Sequence, residues 1–270
     1  MTGPTRVLVT GAASGLGAAL VRAFVARGDQ VLATDLGADV EVPGAAYLPL
    51  DVRSDADWER ARAWVASEWG GLDVLVNNAG VAGGGRIELT SMDDWAWITE
   101  INLFGVVRGT RTFVPMLKQQ GSGRVVNVAS LAGLVHPPGM GSYNAVKAAV
   151  VAFTETAAHE LAPFGVRCSV VCPSYFRTNL IASLRGDDPD VAEKLSAMVE
   201  QSPIGADDIA AAVLRGIDDD VELIIPDEPA RTAYELKRTD RATYDALMRK
   251  TAERMKERAP QGEPAETTEG

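Results

Sequence analysis

Ser142-Tyr143-Asn144-Ala145-Val146-Lys147 sets a phenol and an ammonium four residues apart, a spacing that puts both on one face of a helix. A free tyrosine titrates near ~10 and is a poor base at neutral pH. A cation held beside it favours the phenolate and lowers that value. Such a pair can give or take a proton at a substrate oxygen. Ser130 follows a strand-like run and could donate a hydrogen bond to the same oxygen, and Asn102 could hold Lys147 or its water through an amide. Taken singly, these residues read equally well as a surface pair, a helix cap and a packed amide. Their joint occurrence with the loop described next, in strand order, is what makes chance a poor explanation.

That loop is Thr10-Gly11-Ala12-Ala13-Ser14-Gly15-Leu16-Gly17, between a strand-like run and a helical one. Glycines there permit a sharp turn and leave room for close approach of a pyrophosphate. The N-terminus of the following helix offers free N–H groups and a positive dipole end to phosphate. Gly11, Ser14, Gly15, Leu16 and Gly17 are therefore candidate contacts of a dinucleotide. Asp35 ends the second strand ~20 residues further on, where a carboxylate can accept from both hydroxyls of the adenosine ribose. It would repel a 2′-phosphate, and neither Ala13 nor Leu36 is basic. The expected cofactor is NAD(H) and not NADP(H).

Composition bounds the partners. The 270 residues carry 37 Asp plus Glu against 26 Lys plus Arg, a net charge of −11. Nucleic acid and anionic lipid both call for a basic face, so neither is an expected partner. Two histidines and two cysteines, Cys168 and Cys172, do not make a metal site, and the thiols read as buried and structural. No apolar run reaches the ~18 residues of a membrane helix, and the first residues leave no room for a signal peptide. A cytoplasmic protein is expected.

The elements that must position these groups alternate. Strand-like runs fall at Arg6–Thr10, Gln30–Thr34, Ala46–Leu50, Asp73–Val76, Arg124–Val128, Val166–Val171 and Glu222–Ile225. Helical patterns separate them, including one long helix over Met92–Gln119, bent near Gly105 and Gly109, and another over Ser142–Leu161. Short, fully apolar strands between helices signify a parallel sheet covered on both faces. The expected fold is α/β: one doubly wound Rossmann domain over residues 1–228, with a mainly parallel seven-stranded sheet and helices on both faces. Residues 179–206 form an excursion read as a mobile substrate lid. Residues 229–258 read as a charged C-terminal helical extension that Tyr234, Leu236, Tyr244, Leu247 and Met248 could dock on the body or on a second subunit, and 259–270 as a disordered tail.

On the glycine loop, Asp51, Asn77-Asn78-Ala79-Gly80, Asn102, Ser130, Tyr143 and Lys147, the chain resembles the short-chain dehydrogenase/reductase family from about Arg6 to about Ile225. The resemblance implies a catalytic tetrad of Asn102, Ser130, Tyr143 and Lys147, with Tyr143 as acid/base and Lys147 also on the nicotinamide ribose. It implies that Ser14 and Leu16 meet the ribose and pyrophosphate, that Asp51 and Val52 flank the adenine, and that Asn78, Ala79 and Gly80 pass the adenosine ribose. Pro173 to Thr178, Phe176 included, matches the segment that holds the nicotinamide carboxamide, with Thr178 its hydrogen-bonding residue. Two departures stand out: Ser174 where the family usually has glycine, and a charged extension where many relatives end soon after the last strand. The second puts the usual homotetramer in question against a homodimer.

The reaction so implied is reversible hydride transfer between NAD(H) and a secondary alcohol or ketone. Leu134, Val135, His136, Met140 and Tyr175 are the expected substrate walls beside Ser130 and Tyr143, mainly apolar, with Arg177 and Arg185 the nearest cations. His136 reads either as a substrate partner or as an exposed loop histidine before Pro137. A non-catalytic NAD(H) sensor or scaffold, and an acyl-carrier ketoreductase, are the alternative readings.

Overall fold

The structure, a computed structural model, describes residues 3–38 and 40–257. Seven strands form one all-parallel sheet: β1 (Arg6–Thr10), β2 (Gln30–Asp35), β3 (Ala46–Pro49), β4 (Val74–Asn77), β5 (Gly123–Val128), β6 (Val166–Val171) and β7 (Leu223–Ile224). Their order is β3-β2-β1-β4-β5-β6-β7, with Val9 beside Ala33 on one flank and Val76 on the other. The order reverses between β1 and β4, so the carboxyl ends of the strands open a crevice there.

Both faces of the sheet are buried because the strands are apolar at odd and even positions alike. Val7, Val9, Val31, Val76 and Val126 pack under α1 (Gly15–Arg27) and α8 (Ala206–Asp218). Leu8, Leu32, Leu75, Val125 and Cys168 pack on the other side, against α2 (Asp55–Glu68), α4 (Gly105–Gln120) and α6 (Gly141–Leu161). Cys168 and Cys172 are free and buried, and burial raises both thiols to about 12, which leaves them inert.

The long helix expected over Met92–Gln119 is interrupted. It runs as α3 (Met92–Thr99), a π-helical turn at Glu100–Phe104, and α4. The irregularity lies before the two glycines assigned the bend. Gly109 serves close packing instead: a Cβ there would stand 2.2 Å from Asn77 Oδ1 and 2.6 Å from the Trp58 ring.

A short α5 (Ala132–Val135) follows β5. Residues 179–206 fold over the crevice as a 3-10 turn, Asn179–Ser183, and α7 (Pro189–Glu200). The start of α7 is latched to the loop after β4. Arg86 Nε and Nη2 donate to the two Asp188 oxygens at 2.7 and 2.8 Å, and the Arg86 backbone N–H donates at 2.9 Å. The Asp188 side chain is 0 % exposed, so removal of its partner strands a buried charge. Arg86→Ala should cost about 3 kcal/mol, read as a melting temperature about 6–12 °C lower. The Arg86 hydrogen bond holds the Asp188 carboxyl below its ordinary 3.8. The latch therefore contributes fully at neutral pH and is lost only as the pH falls below that range. An unchanged melting temperature would mean that the latch contributes nothing.

The extension forms α9 (Glu228–Thr239) and α10 (Arg241–Glu257), docked on this chain's own body. Tyr244, 5 % exposed, donates to the Val135 carbonyl. Asp227 caps α9 and also accepts from the Ser174 N–H and hydroxyl, so the serine at the departure from the family pattern anchors the extension. The tail at 259–270 lies outside the described residues.

Candidate active site

The glycine loop sits where β1 ends. Gly15 has φ of +54°, and a Cβ there would meet Thr178 Oγ1 at 2.7 Å. Gly17 faces the Gly11 carbonyl so closely that a Cβ would stand 2.0 Å from its oxygen. The loop is stapled to the next strand end: Asn78 Nδ2 donates to the Thr10 carbonyl at 2.8 Å, and the Asn78 and Ala79 N–H groups donate to Thr10 Oγ1 at 3.0 Å. Thr10 is thus a positioning residue that the sequence reading passed over. The Asp35 oxygens accept from the Ala13 and Leu36 N–H groups at 2.8 Å each. A carboxylate so held keeps lone pairs for further donors. Asp51 is engaged by Arg53, whose side-chain hydrogen bond holds the carboxyl below its usual range. Val52 is buried against Gly105.

The second half is built on α6. Tyr143, Val146, Lys147, Val150, Thr154 and Leu161 fall at three- and four-residue spacing and form its buried face. Tyr143 and Lys147 lie one turn apart on that face, 7 % and 4 % exposed. Lys147 Nζ donates to the carbonyl of Val128, the last residue of β5, at 2.9 Å and stands 5.7 Å from the Tyr143 ring centroid. Burial raises the Tyr143 phenol to about 12, opposed by a hydrogen bond from Ser130. Burial also lowers Lys147 to about 8. Desolvation therefore outweighs the acidifying effect expected of the ammonium: the phenol is protonated at neutral pH. Ser130 Oγ accepts from the Ala132 N–H at 3.1 Å.

Asn102 lies fully buried in the π-helical turn, a distortion that recurs at functional sites. Its amide was read as able to hold Lys147 or its water, and no direct hydrogen bond to Lys147 forms among the described residues. Instead its Oδ1 accepts from the Val81 N–H at 2.8 Å and its Nδ2 donates to the Val81 carbonyl at 2.9 Å. It fixes the 78–81 loop, and Gly80 is the point where that loop passes Asn102 Oδ1 and Lys147 Nζ.

One cleft of about 630 Å³ joins the two halves, lined by Gly11, Ser14, Gly15 and Leu16 at one end and by Ser130, Tyr143 and Lys147 at its floor. Asn78, Ala79, Gly80, Pro173, Phe176 and Thr178 line it between them, and Tyr175 lines the outer part. Leu134 and His136 do not line it. Leu134 is packed in the core under α9. His136 accepts at Nδ1 from Lys237 at 2.8 Å, which leaves Nε2–H to donate to the Gly133 carbonyl at 3.1 Å. The histidine joins the extension to the body, with both ring nitrogens occupied. The outer wall comes from Val135, Pro138 and Met140, from α7, and from Met248, Thr251 and Met255 of α10. Tyr244, Met248, Thr251 and Met255 recur at helical spacing, a signal that a face of the extension docks but not that it reaches this cleft.

The parallel sheet, the glycine loop and the buried Tyr143 and Lys147 beside the half-buried Ser130 define a dinucleotide-fold oxidoreductase scaffold. The family description "short chain dehydrogenase" matches residues 5–189, and the chain belongs to that family. It is 36% identical over 222 residues to the 2-(R)-hydroxypropyl-CoM dehydrogenase of Xanthobacter autotrophicus, covering 77% of this chain and 88% of that one. It is 38% identical over 178 residues to the 3-alpha-(or 20-beta)-hydroxysteroid dehydrogenase of Mycobacterium tuberculosis, covering 63% and 68%. Among solved structures, a short-chain dehydrogenase/reductase of Burkholderia phymatum in complex with NAD superposes with a TM-score of 0.81 at 29% identity, covering 88% of this chain and 94% of that one. One of Burkholderia cenocepacia in complex with NADP gives 0.77 at 27%, covering 91% and 97%.

Proposed function

We propose that this oxidoreductase exchanges hydride between NAD(H) and a secondary alcohol or ketone of mainly apolar character, with Tyr143 as the acid/base. The observation that carries the reading is the buried Tyr143 phenol at the floor of a cleft whose other end is the glycine loop. Tight backbone approach at Gly17 and the loop-held carboxylate of Asp35 fit a dinucleotide without a 2′-phosphate.

The cofactor, when bound, supplies the hydride acceptor or donor. The chain supplies the rest. Ser130 and Tyr143 present two hydroxyls to the substrate oxygen, which fixes the carbon that bears it. In reduction, the protonated Tyr143 phenol gives its proton to the oxygen as negative charge develops there, and Ser130 stabilises the same charge. In oxidation the phenolate takes the hydroxyl proton. Lys147, cationic below about 8, stabilises that phenolate, and Asn102 holds the 78–81 loop beside it. The apolar outer wall excludes water.

Relatives of this family bind either NAD or NADP, so the preference is a direct test. NADH should bind about 100-fold more tightly than NADPH, about 3 kcal/mol, because Asp35 opposes a 2′-phosphate. Fluorescence titration of both cofactors reads this. Equal affinities would remove the role of Asp35.

A further inference from the structure

We propose that the substrate carries an anionic group at the end remote from its reacting carbon, received between Lys194 of α7 and Arg254 of α10 at the mouth of the cleft. The inference rests on the hydride-transfer reading above.

The chain carries a net charge of −11, yet the described residues that line the cleft include Lys147, Lys194 and Arg254 and no aspartate or glutamate. Lys147 is occupied at the floor by the Val128 carbonyl. Among the described residues, Lys194 and Arg254 make no ion pair and no side-chain hydrogen bond, in contrast to Arg86 on the neighbouring latch. Their places are matched. Lys194 directly precedes Leu195 and Arg254 directly precedes Met255, and Leu195, Met255 and Tyr143 belong to one apolar cluster. Val191 of α7 and Met255 of α10 converge on Gly139, so the two helices close the same wall. Each cation thus stands at the rim of an apolar channel that leads down to the phenol, its aliphatic stem free to lie along the wall. The adjacent carboxylates, Glu193 and Glu253, do not line the cleft.

A ligand that suits this arrangement has an apolar body, a carbonyl or carbinol at one end and a carboxylate, sulfonate or phosphate at the other. A purely apolar ketone leaves both cations unused, and a cationic one is repelled.

The test uses the whole protein with NADH and a series of straight-chain (ω−1)-oxo acids of increasing length, each beside its methyl ester. One acid length should be preferred over its ester. The Lys194→Met, Arg254→Met double variant keeps the aliphatic stems. It should lower kcat/KM for that acid by about 5- to 30-fold, through KM, and leave the ester and the NADH dissociation constant unchanged. Added salt should act on the wild-type protein in the same sense. Equal effects on acid and ester, or no acid preference at any length, overturn the inference and leave the hydride-transfer reading standing. A change in NADH affinity would assign the cations to the cofactor and also overturn it. If NADH binds but neither acid nor ester is reduced, the hydride-transfer reading falls. Calorimetry of the acids on the NADH complex then decides the cation pair alone: acid binding lost in the double variant supports it, and acid binding no tighter than ester overturns it.

Discussion

Tyr143→Phe should lose about 10²–10⁴-fold in turnover, the range for one acid/base group, while NADH still binds with nearly its original affinity. The ring remains to fill the buried site, so the loss reports the hydroxyl and not the packing. The pH dependence sharpens the test. Burial holds the wild-type phenol at about 12 in the free protein, which keeps it protonated across the neutral range. Ketone reduction, which needs the proton donor, should therefore be well developed at neutral pH. Alcohol oxidation, which needs the phenolate, should rise as the pH increases. Lys147 sets a limit, since its own ammonium titrates at about 8 and ceases to support the phenolate above that value. NADH absorbance in both directions reads all of this. Near wild-type turnover in the Phe variant would remove Tyr143 from the chemistry. A pH-independent oxidation would show that its ionisation does not limit the rate.

Gly17→Ala should all but abolish NADH binding. In an unconstrained helix the change is favourable by about 1 kcal/mol. Here the added carbon would meet the Gly11 carbonyl oxygen at 2.0 Å and Asn78 Nδ2 at 2.6 Å. Neither can yield cheaply: one is backbone and the other is the amide that staples the glycine loop to β4. The loop must move, at about 1–3 kcal/mol of strain, and with it the free N–H groups that would face a pyrophosphate. A loss of more than about 100-fold in NADH affinity, about 3 kcal/mol, is expected by titration, together with a lowered melting temperature. Wild-type affinity in this variant would show that the loop does not approach the cofactor.

The sheet was readable because its strands are apolar at consecutive positions and are punctuated by helix-length segments. The glycine loop was readable because few chemistries demand three glycines at a strand-to-helix turn. Tyr143 and Lys147 share a helix face by spacing alone, and the buried stripe of α6 follows from the same periodicity. What the sequence hid is tertiary. The π-helical turn around Asn102 has no compositional mark, so the expected bend was assigned to glycines that in fact serve packing against Trp58 and Val52. The amide of Asn102 looked able to hold Lys147 or its water, and only the fold shows that both of its groups bond the backbone of Val81. Leu134 was expected in the substrate wall, and His136 either there or as an exposed loop histidine, which it is. A single turn of helix, Ala132–Val135, points Leu134 into the core, and the αL residue His136 faces Lys237. Pairwise acidification of Tyr143 was expected from a neighbouring charge, and the sign reverses because both groups are buried together. The helical spacing of α10 showed that one face must be covered, and only the fold shows that the face closes a cleft begun by residue 11.

That last fact bears on the order in which the protein is made. Translation delivers the glycine loop well before the helix bearing Met248 and Met255. A nascent chain that has emerged only as far as Pro226 already holds every strand of the sheet, yet lacks Asp227, the anchor for Ser174, and has one side of its reaction chamber open to water. The wall that α10 contributes to the cleft is thus added only after every strand of the sheet has emerged.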